Sequence, residues 1–407
     1  MKFEEYIKKY PDSRGFYGPY GGSFVDKNLS KAFKELDEMY EKLHGSQTFV
    51  NELNNLRKTF QGRPTPIYYC ENLSRVCDGA QIYLKREDLG MGASHKLNHA
   101  LGLVLIAKLL GKKKVIAETG SGQHGLAVAI SCSKFGLEPE IHMGELDIKR
   151  QRSSVNKMKF LGAKIVCVDN GDKSLKASYD SAMKSYSNSY KTSFYCPGSA
   201  IGPHPLPRIV RDLQLVVGLE AQKEFKSIFS VNPDVVIASV SGGSNSVGFF
   251  LPFLGKARRI IGVQALGKSK KLGENAASLT FGEEGVMQGY NTLYIKTKDG
   301  SPAKVYSIAA GMNYPAVGPE LALLKDLNLI EYENISDKEA IEAFFLLTKH
   351  EGIIPSLEAS HALALAIKLS KSKEEKGTIL VNLSGSGDKD LDYIFQKYED
   401  NFLKNIE

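Results

Sequence analysis

A chain of 407 residues with 42% hydrophobic and 24% charged residues is too long for one small module and too ordinary in balance for a disordered or fibrous protein. Lysine and arginine (53) exceed aspartate and glutamate (46) by 7; the excess is spread along the chain, with no basic stripe to suggest a nucleic-acid partner. Five cysteines without a CxxC pair, no apolar leader and no apolar run long enough for a membrane span argue against a disulfide framework, a zinc site and a membrane protein, and for a cytoplasmic one.

Residues 1–60 read as a Gly/Tyr-rich arm, FYGPYGGSF, and then a helix from about 29 to 58 with Leu29, Ala32, Phe33, Leu36, Met39, Tyr40 and Leu43 on one face. Prolines in GRPTP (62–66) end it, and QIYLK (81–85) alternates as a strand. The pattern then becomes strand, loop, helix. A helix over 96–110 closes at Gly111, followed by strand 114–118, helix 125–135, strand 138–143, a charged helix over about 146–161 and strand 164–168. DVVIASV (234–240), RIIGVQAL (259–266) and TILVNL (378–383) are apolar runs of the kind buried on both faces of a parallel sheet. Residues 272–306 interrupt with glycines and a hairpin, and long helices over 336–350 and 356–370 precede the last strand. The fold class is α/β, mostly parallel, in two interleaved open-sheet domains.

Three strands end in a glycine turn that opens a helix: ETGSGQHG (118–125), SVSGGSNS (239–246) and NLSGSGDKD (382–390). Ligands in parallel sheets bind beyond the carboxyl ends of strands, so the three turns converge on one crevice. GSGQHG (120–125), with Glu145 further on, also satisfies the dinucleotide-binding pattern, but Glu118 would then stand beside a pyrophosphate. GVQALGKS (262–269) matches the phosphate-loop pattern letter for letter, yet Gly262 lies inside its apolar run and the register is wrong.

In order and spacing, GRPTP (62–66), YLKREDL (83–89), HKLN (95–98), AETGSGQHG (117–125), GPHPLPRIVRD (202–212), GGSN (242–245), EGIIPSLEASHAL (351–363) and NLSGSGDKD (382–390) resemble the tryptophan synthase β chain family, fold-type-II pyridoxal phosphate enzymes, from about Gly15 to Asp390. The resemblance implies one domain from 1–60 and 95–205, with a mobile substrate-closing region over about 111–198. It implies a second from 61–94 and 206–407, with pyridoxal 5'-phosphate in the cleft between them. Such a cofactor needs a lysine for an imine with its aldehyde, a cradle for a phosphate dianion and a partner for its ring nitrogen. Lys96 follows a Gly/Ser-rich loop at a helix start, where the dipole lowers an amine pKa; spacing alone does not single it out among the lysines.

By the resemblance Lys96 is the imine lysine, with His95 beside it, and Ser241, Gly242, Gly243, Ser244 and Asn245 cradle the phosphate. Gln123, Gly311 and Glu358 lie by the cofactor and Ser384 faces the ring nitrogen. Glu358 also reads simply as a carboxylate at a helix start. Glu118, at a strand end, is the acid–base group. Thr119, Gly120, Ser121, Gly122, Gln123 and His124 take the substrate carboxylate, Asn313 and Arg150 belong to substrate closure, and carbonyls of Ser241, Tyr314 and Ala316 hold a monovalent cation, Na or K. The reaction implied is L-serine plus indole to L-tryptophan plus water, in a homodimer that docks an alpha subunit.

One loop and four single positions depart from the family pattern: the GMGAS loop (90–94), Ser241 for glycine, Asn275 for histidine, Asn313 for aspartate and Ser386 for arginine. Asn313 cannot form the ion pair with Arg150 that closes the family's site, worth about 1 to 4 kcal/mol. Two alternatives follow. One is a divergent enzyme with another donor or nucleophile, or one that eliminates from serine or threonine; the other is a catalytically silent partner subunit.

Overall fold

The computed structural model describes residues 1–372 and 375–403. Its largest sheet has six strands in the order Glu331–Ser336, Arg259–Gly267, Val235–Ser239, Thr378–Leu383, Gln81–Arg86 and Ile67–Tyr69. All neighbours pair in parallel except Ile67–Tyr69, an antiparallel edge. Every residue of Val235–Ser239 is buried, as the continuous apolar run requires of a strand with helices over both faces. A second, four-stranded parallel sheet runs Lys164–Val168, Glu138–Gly144, Lys114–Thr119 and Ser193–Tyr195. In a third sheet the arm strands Phe16–Tyr17 and Tyr20–Gly21 meet the antiparallel hairpin Glu283–Met287 and Tyr290–Tyr294.

The expected helix over 29–58 is two helices, Lys27–His44 and Gln47–Leu56. Asp26 caps the first by accepting from the Asn28 and Leu29 amides at 2.8 and 3.0 Å, and Gly45 ends it. A wide turn over Arg57–Gln61 follows, closed by Gly62 at φ 83°. The charged helix expected over 146–161 is also divided, into Glu145–Arg150 and Arg152–Phe160. Gln151 leaves helical geometry at φ −116° and ψ 41°, buried with its side-chain amide 3.5 Å from Asp390.

The helix Leu206–Phe229 packs against Leu97–Leu109 and Ser244–Phe250. Leu97–Leu109 is apolar nearly all round, since it is enclosed by protein. The carboxyl ends of Lys114–Thr119, Val235–Ser239 and Thr378–Leu383 open onto one cleft, bordered by all three glycine turns.

Candidate active site

Lys96 occupies the position just before the helix Leu97–Leu109, at φ −62° and ψ −31°. The loop ahead of it is fastened to the last glycine turn: the His95 amide donates to the Ser384 carbonyl at 3.0 Å and the Ser386 amide to the Ala93 carbonyl at 2.9 Å. The Lys96 amine donates to the Gly198 carbonyl and, at 3.4 Å, reaches the Ser244 hydroxyl. Burial lowers its pKa to about 8, with Glu118 and Glu358 opposing the drop. A fraction of the amine is therefore unprotonated near neutrality, which imine formation requires.

Glu118 is the last residue but one of the strand Lys114–Thr119 and is 2% exposed. One oxygen accepts from the Tyr195 hydroxyl at 2.7 Å and the other from the Gly198 amide at 2.7 Å. Burial raises its pKa to about 7, against the pull of those two donors. Gly198 thus meets Lys96 with its carbonyl and Glu118 with its amide. An amine poised to lose a proton and a carboxyl poised to give one face each other across a single residue.

The turn Ser241–Asn245 must be glycine at its centre. A Cβ on Gly242 would stand 2.6 Å from the Ser199 hydroxyl, and Gly243 adopts φ 98° with a Cβ position 2.2 Å from Leu321. The Ser244 amide donates to the Ser199 hydroxyl at 3.1 Å, and the Asn245 side chain to the Ser239 carbonyl at 3.0 Å. His95 donates from Nδ1 to the Ser384 carbonyl at 3.0 Å, leaving Nε2 as an acceptor 3.3 Å from the Ser244 hydroxyl. Burial and the neighbouring Lys96 hold its pKa near 3, so the ring is neutral.

Three buried polar atoms of the turn after Glu118 lack a hydrogen-bond partner among the described residues: Thr119 Oγ1, Gln123 Oε1 and His124 Nδ1. Thr119, Gln123 and His124 border the cleft, with Gly120 and Ser121. Unpaired buried groups of this kind are costly unless a ligand satisfies them. Across the cleft the Gly311 amide donates to Glu358 at 2.9 Å, and Lys389 pairs with Glu358 at 3.0 Å. Burial would raise the Glu358 pKa, but Lys389 overrides it and keeps the group ionised.

Lys96, Glu118, His95, Ser241, Gly242, Gly243, Ser244, Asn245, Gly311, Tyr314, Glu358 and Ser384 all border the same cleft. Gly122, Ala316, Asn313 and Arg150 are not on its wall. A Cβ on Gly122 would meet Ser154, and Ala316 bridges to Tyr294. The Asn313 side chain is used up inside its own loop, accepting from the Ser307 amide at 2.6 Å and donating to the Ser307 and Ala309 carbonyls at 3.0 and 3.3 Å. The Arg150 guanidinium donates to the Ile308 carbonyl at 3.1 Å and lies 4.6 Å over the Tyr393 ring. Asn275 and Ser386 likewise serve their own turns, through the Lys271 carbonyl and the Asp388 amide.

The sequence reading missed Tyr195, Gly198, Ser199 and Lys389. Lys389 lay within a motif it quoted; the others act largely through backbone or one hydroxyl, and YCPGS (195–199) carries no charge to draw attention.

The chemistry on the wall fits pyridoxal phosphate. It offers a depressed-pKa lysine, a glycine turn leading into a helix with the Lys96 side of the cleft beside it, and a neutral hydroxyl at Ser384. Among the described residues no group of histidine, cysteine, aspartate or glutamate could hold a metal ion, and no helix is long and apolar enough to cross a membrane.

Comparison with known proteins gives a consistent result. Residues 58–385 match the model of the family described as pyridoxal-phosphate dependent enzyme. The chain is 54% identical over 398 residues to the tryptophan synthase beta chain of Clostridium botulinum (strain Eklund 17B / Type B), covering 98% of each. To tryptophan synthase beta chain 1 of Wolinella succinogenes it is 48% identical over 399 residues, again covering 98% of each. Among solved structures, a pyridoxal 5'-phosphate-dependent aspartate racemase aligns with a TM-score of 0.63 at 17% identity, over 84% of this chain and 95% of that one. A fungal L-serine ammonia-lyase from Rhizomucor miehei aligns at 0.62 and 20%, over 83% and 97%. These two likenesses show the shared fold.

Proposed function

From a chain that belongs to the pyridoxal-phosphate-dependent enzymes, and within them to the tryptophan synthase β chains, we propose the condensation of L-serine with indole to give L-tryptophan and water. The protein is a pyridoxal-phosphate-dependent enzyme, and its reaction is of the tryptophan synthase β type. The facing of the Lys96 amine and the Glu118 carboxyl across Gly198 carries the assignment of roles.

Lys96 holds the cofactor and moves the α proton of the amino acid. The bound cofactor supplies an electron sink that makes loss of the α proton and of the β substituent feasible. The turn Ser241–Asn245 would hold its phosphate, with neutral His95 leaving the local charge unchanged. Ser384, on the cleft wall, would offer the ring nitrogen a neutral hydroxyl. The turn Thr119–His124 binds and orients the substrate carboxylate through backbone N–H donors and the unpaired Thr119 hydroxyl. Glu118, ionising near 7, gives a proton to the departing serine hydroxyl, which leaves as water, and accepts one from the incoming nucleophile. Leu175, Tyr179, Ile201 and Met312 share the wall with Glu118 and supply apolar and aromatic surface suited to a flat heteroaromatic acceptor.

The two parallel sheets correspond in this reading to domains over 1–60 with 95–205 and 61–94 with 206–407, the former carrying a substrate-closing region near 111–198. A monovalent cation on the carbonyls of Ser241, Tyr314 and Ala316 is supported by the Gly318 amide donating to the Gly242 carbonyl at 3.2 Å, which ties the two strips together. A homodimer with an alpha subunit, in the cytoplasm, completes the proposal; five free thiols suit that compartment. The test is the purified holoenzyme with L-serine and indole. Tryptophan formation, abolished by Lys96→Ala, supports the reading; pyruvate and ammonia alone, or no turnover, overturn it.

A further inference from the structure

Gln214 is fully buried on the helix Leu206–Phe229 and does not itself border the cleft. Its side-chain amide nevertheless reaches three residues around Lys96. Nε2 donates to the His95 carbonyl at 3.0 Å and to His99 Nδ1 at 2.7 Å, while Oε1 accepts from Asn98 Nδ2 at 3.1 Å. Lys96 itself has no side-chain cap at the helix start, so this one amide ties the flanking residues in its place.

The direction of every bond is fixed from Arg63. A guanidinium only donates, so Asn98 Oδ1, 2.7 Å from Arg63 Nη1, must accept. Asn98 Nδ2 therefore donates to Glu87 at 2.9 Å and to Gln214 Oε1. Gln214 is left with its NH2 towards His95 and His99, and His99, accepting at Nδ1, carries its proton on Nε2.

His99 stacks on His124 with centroids 5.3 Å apart and planes at 17°. His124 Nε2 donates to the Cys196 carbonyl at 2.9 Å. The Nε2 of His99 makes no hydrogen bond, but the Pro197 carbonyl lies near enough to favour a proton on that ring. The two rings thus back the strip Tyr195–Ser199, from which Glu118 is held by Tyr195 and Gly198 and the Lys96 amine by Gly198.

We propose that Gln214 is a positioning residue, which orders His95–His99 and sets the His99 tautomer so that the strip Tyr195–Ser199 holds Lys96 and Glu118 in register. With the opposite tautomer His99 Nδ1 would turn a proton towards the Gln214 amide, donor against donor, and the 2.7 Å bond that fixes the ring against His124 would be lost. The proposal rests on the roles given to Lys96 and Glu118 above.

The test uses holoenzyme and four single variants. Gln214→Leu removes all three bonds; Gln214→Glu keeps the shape but removes both donors; His99→Leu removes the relay; Gln222→Leu, on the same helix, removes a 2.9 Å bond to the Pro252 carbonyl away from the cleft and serves as control. Gln214→Leu and Gln214→Glu should each lower kcat roughly tenfold or more with KM for L-serine nearly unchanged. They should also move the pH midpoint of the cofactor's visible band by about half a unit or more, while Gln222→Leu moves neither. The double variant Gln214→Leu/His99→Leu should lose clearly less than the two single losses combined. Control-like kcat and midpoint in both Gln214 variants, or full additivity in the double variant, overturns the proposal; should Gln214→Leu not fold, Gln214→Glu decides. Borohydride trapping separates the two levels: a cofactor found on a lysine other than Lys96 overturns the underlying roles, whereas one found on Lys96 leaves only the Gln214 relay in question.

Discussion

At the scale of single residues, Glu118 and Asn313 show environment outweighing side-chain type. Because Glu118 ionises near 7 where a carboxyl ordinarily does so at 4.5, the native state holds that proton more tightly than the unfolded chain does. Cofactor-free protein should therefore lose stability as pH rises from 4.5 to 7, by at most about 3 kcal/mol from this group. Urea unfolding at the two ends of that range should show the loss in wild type and a flatter profile in Glu118→Gln, whose kcat should be lower by roughly 10² to 10⁴. Asn313→Asp, which restores the family's residue type, should not restore an ion pair. Its side chain would lose the two donors that reach Ser307 and Ala309, and thermal unfolding should register a loss of about 1 to 3 kcal/mol.

At the scale of elements, the glycine turns have the least latitude. Gly243→Ala would have to place a methyl against Leu321 from a left-handed backbone; equilibrium dialysis should show cofactor affinity weakened by at least roughly tenfold, with the sheet intact by circular dichroism. The strands at 114–119, 235–239 and 378–383 were legible because buried parallel strands are written as unbroken apolar runs. The break at Gln151 was not, because only a tertiary partner, Asp390, marks it, whereas Gly45 followed by Ser46 is a local stop and start that apolar spacing alone passes over. In the cleft, Lys96, Glu118 and the three turns were legible through motif order. Tyr195–Ser199 and Gln214 were invisible, since what they contribute is backbone geometry and the pairing of residues between 72 and 119 positions apart. The placing of Arg150 on Tyr393 rather than on residue 313 was equally out of reach, as no local pattern encodes a ring from the C-terminal helix Leu391–Leu403.

Across the whole molecule, one buried ionic cluster joins the helices behind the cleft to the largest sheet. Arg63 pairs with Glu87 at 2.8 Å and Glu220 at 2.7 Å, and Lys85 lies 3.2 Å from Glu220. Arg63 and Glu87 side chains are 2% and 1% exposed, so Arg63→Met would strand a carboxylate in the interior and should cost about 3 to 5 kcal/mol by urea unfolding. The order of strands in the same sheet bears on how the protein is made. Thr378–Leu383 lies between Val235–Ser239 and Gln81–Arg86, which do not pair with each other. On a ribosome, those two earlier strands must wait for almost the entire polypeptide to emerge before their open edges are covered. Biosynthesis therefore passes through a long interval in which a sticky, half-built sheet is exposed to other nascent chains, and a transcript ending shortly before codon 378 should yield aggregates where the complete one yields enzyme.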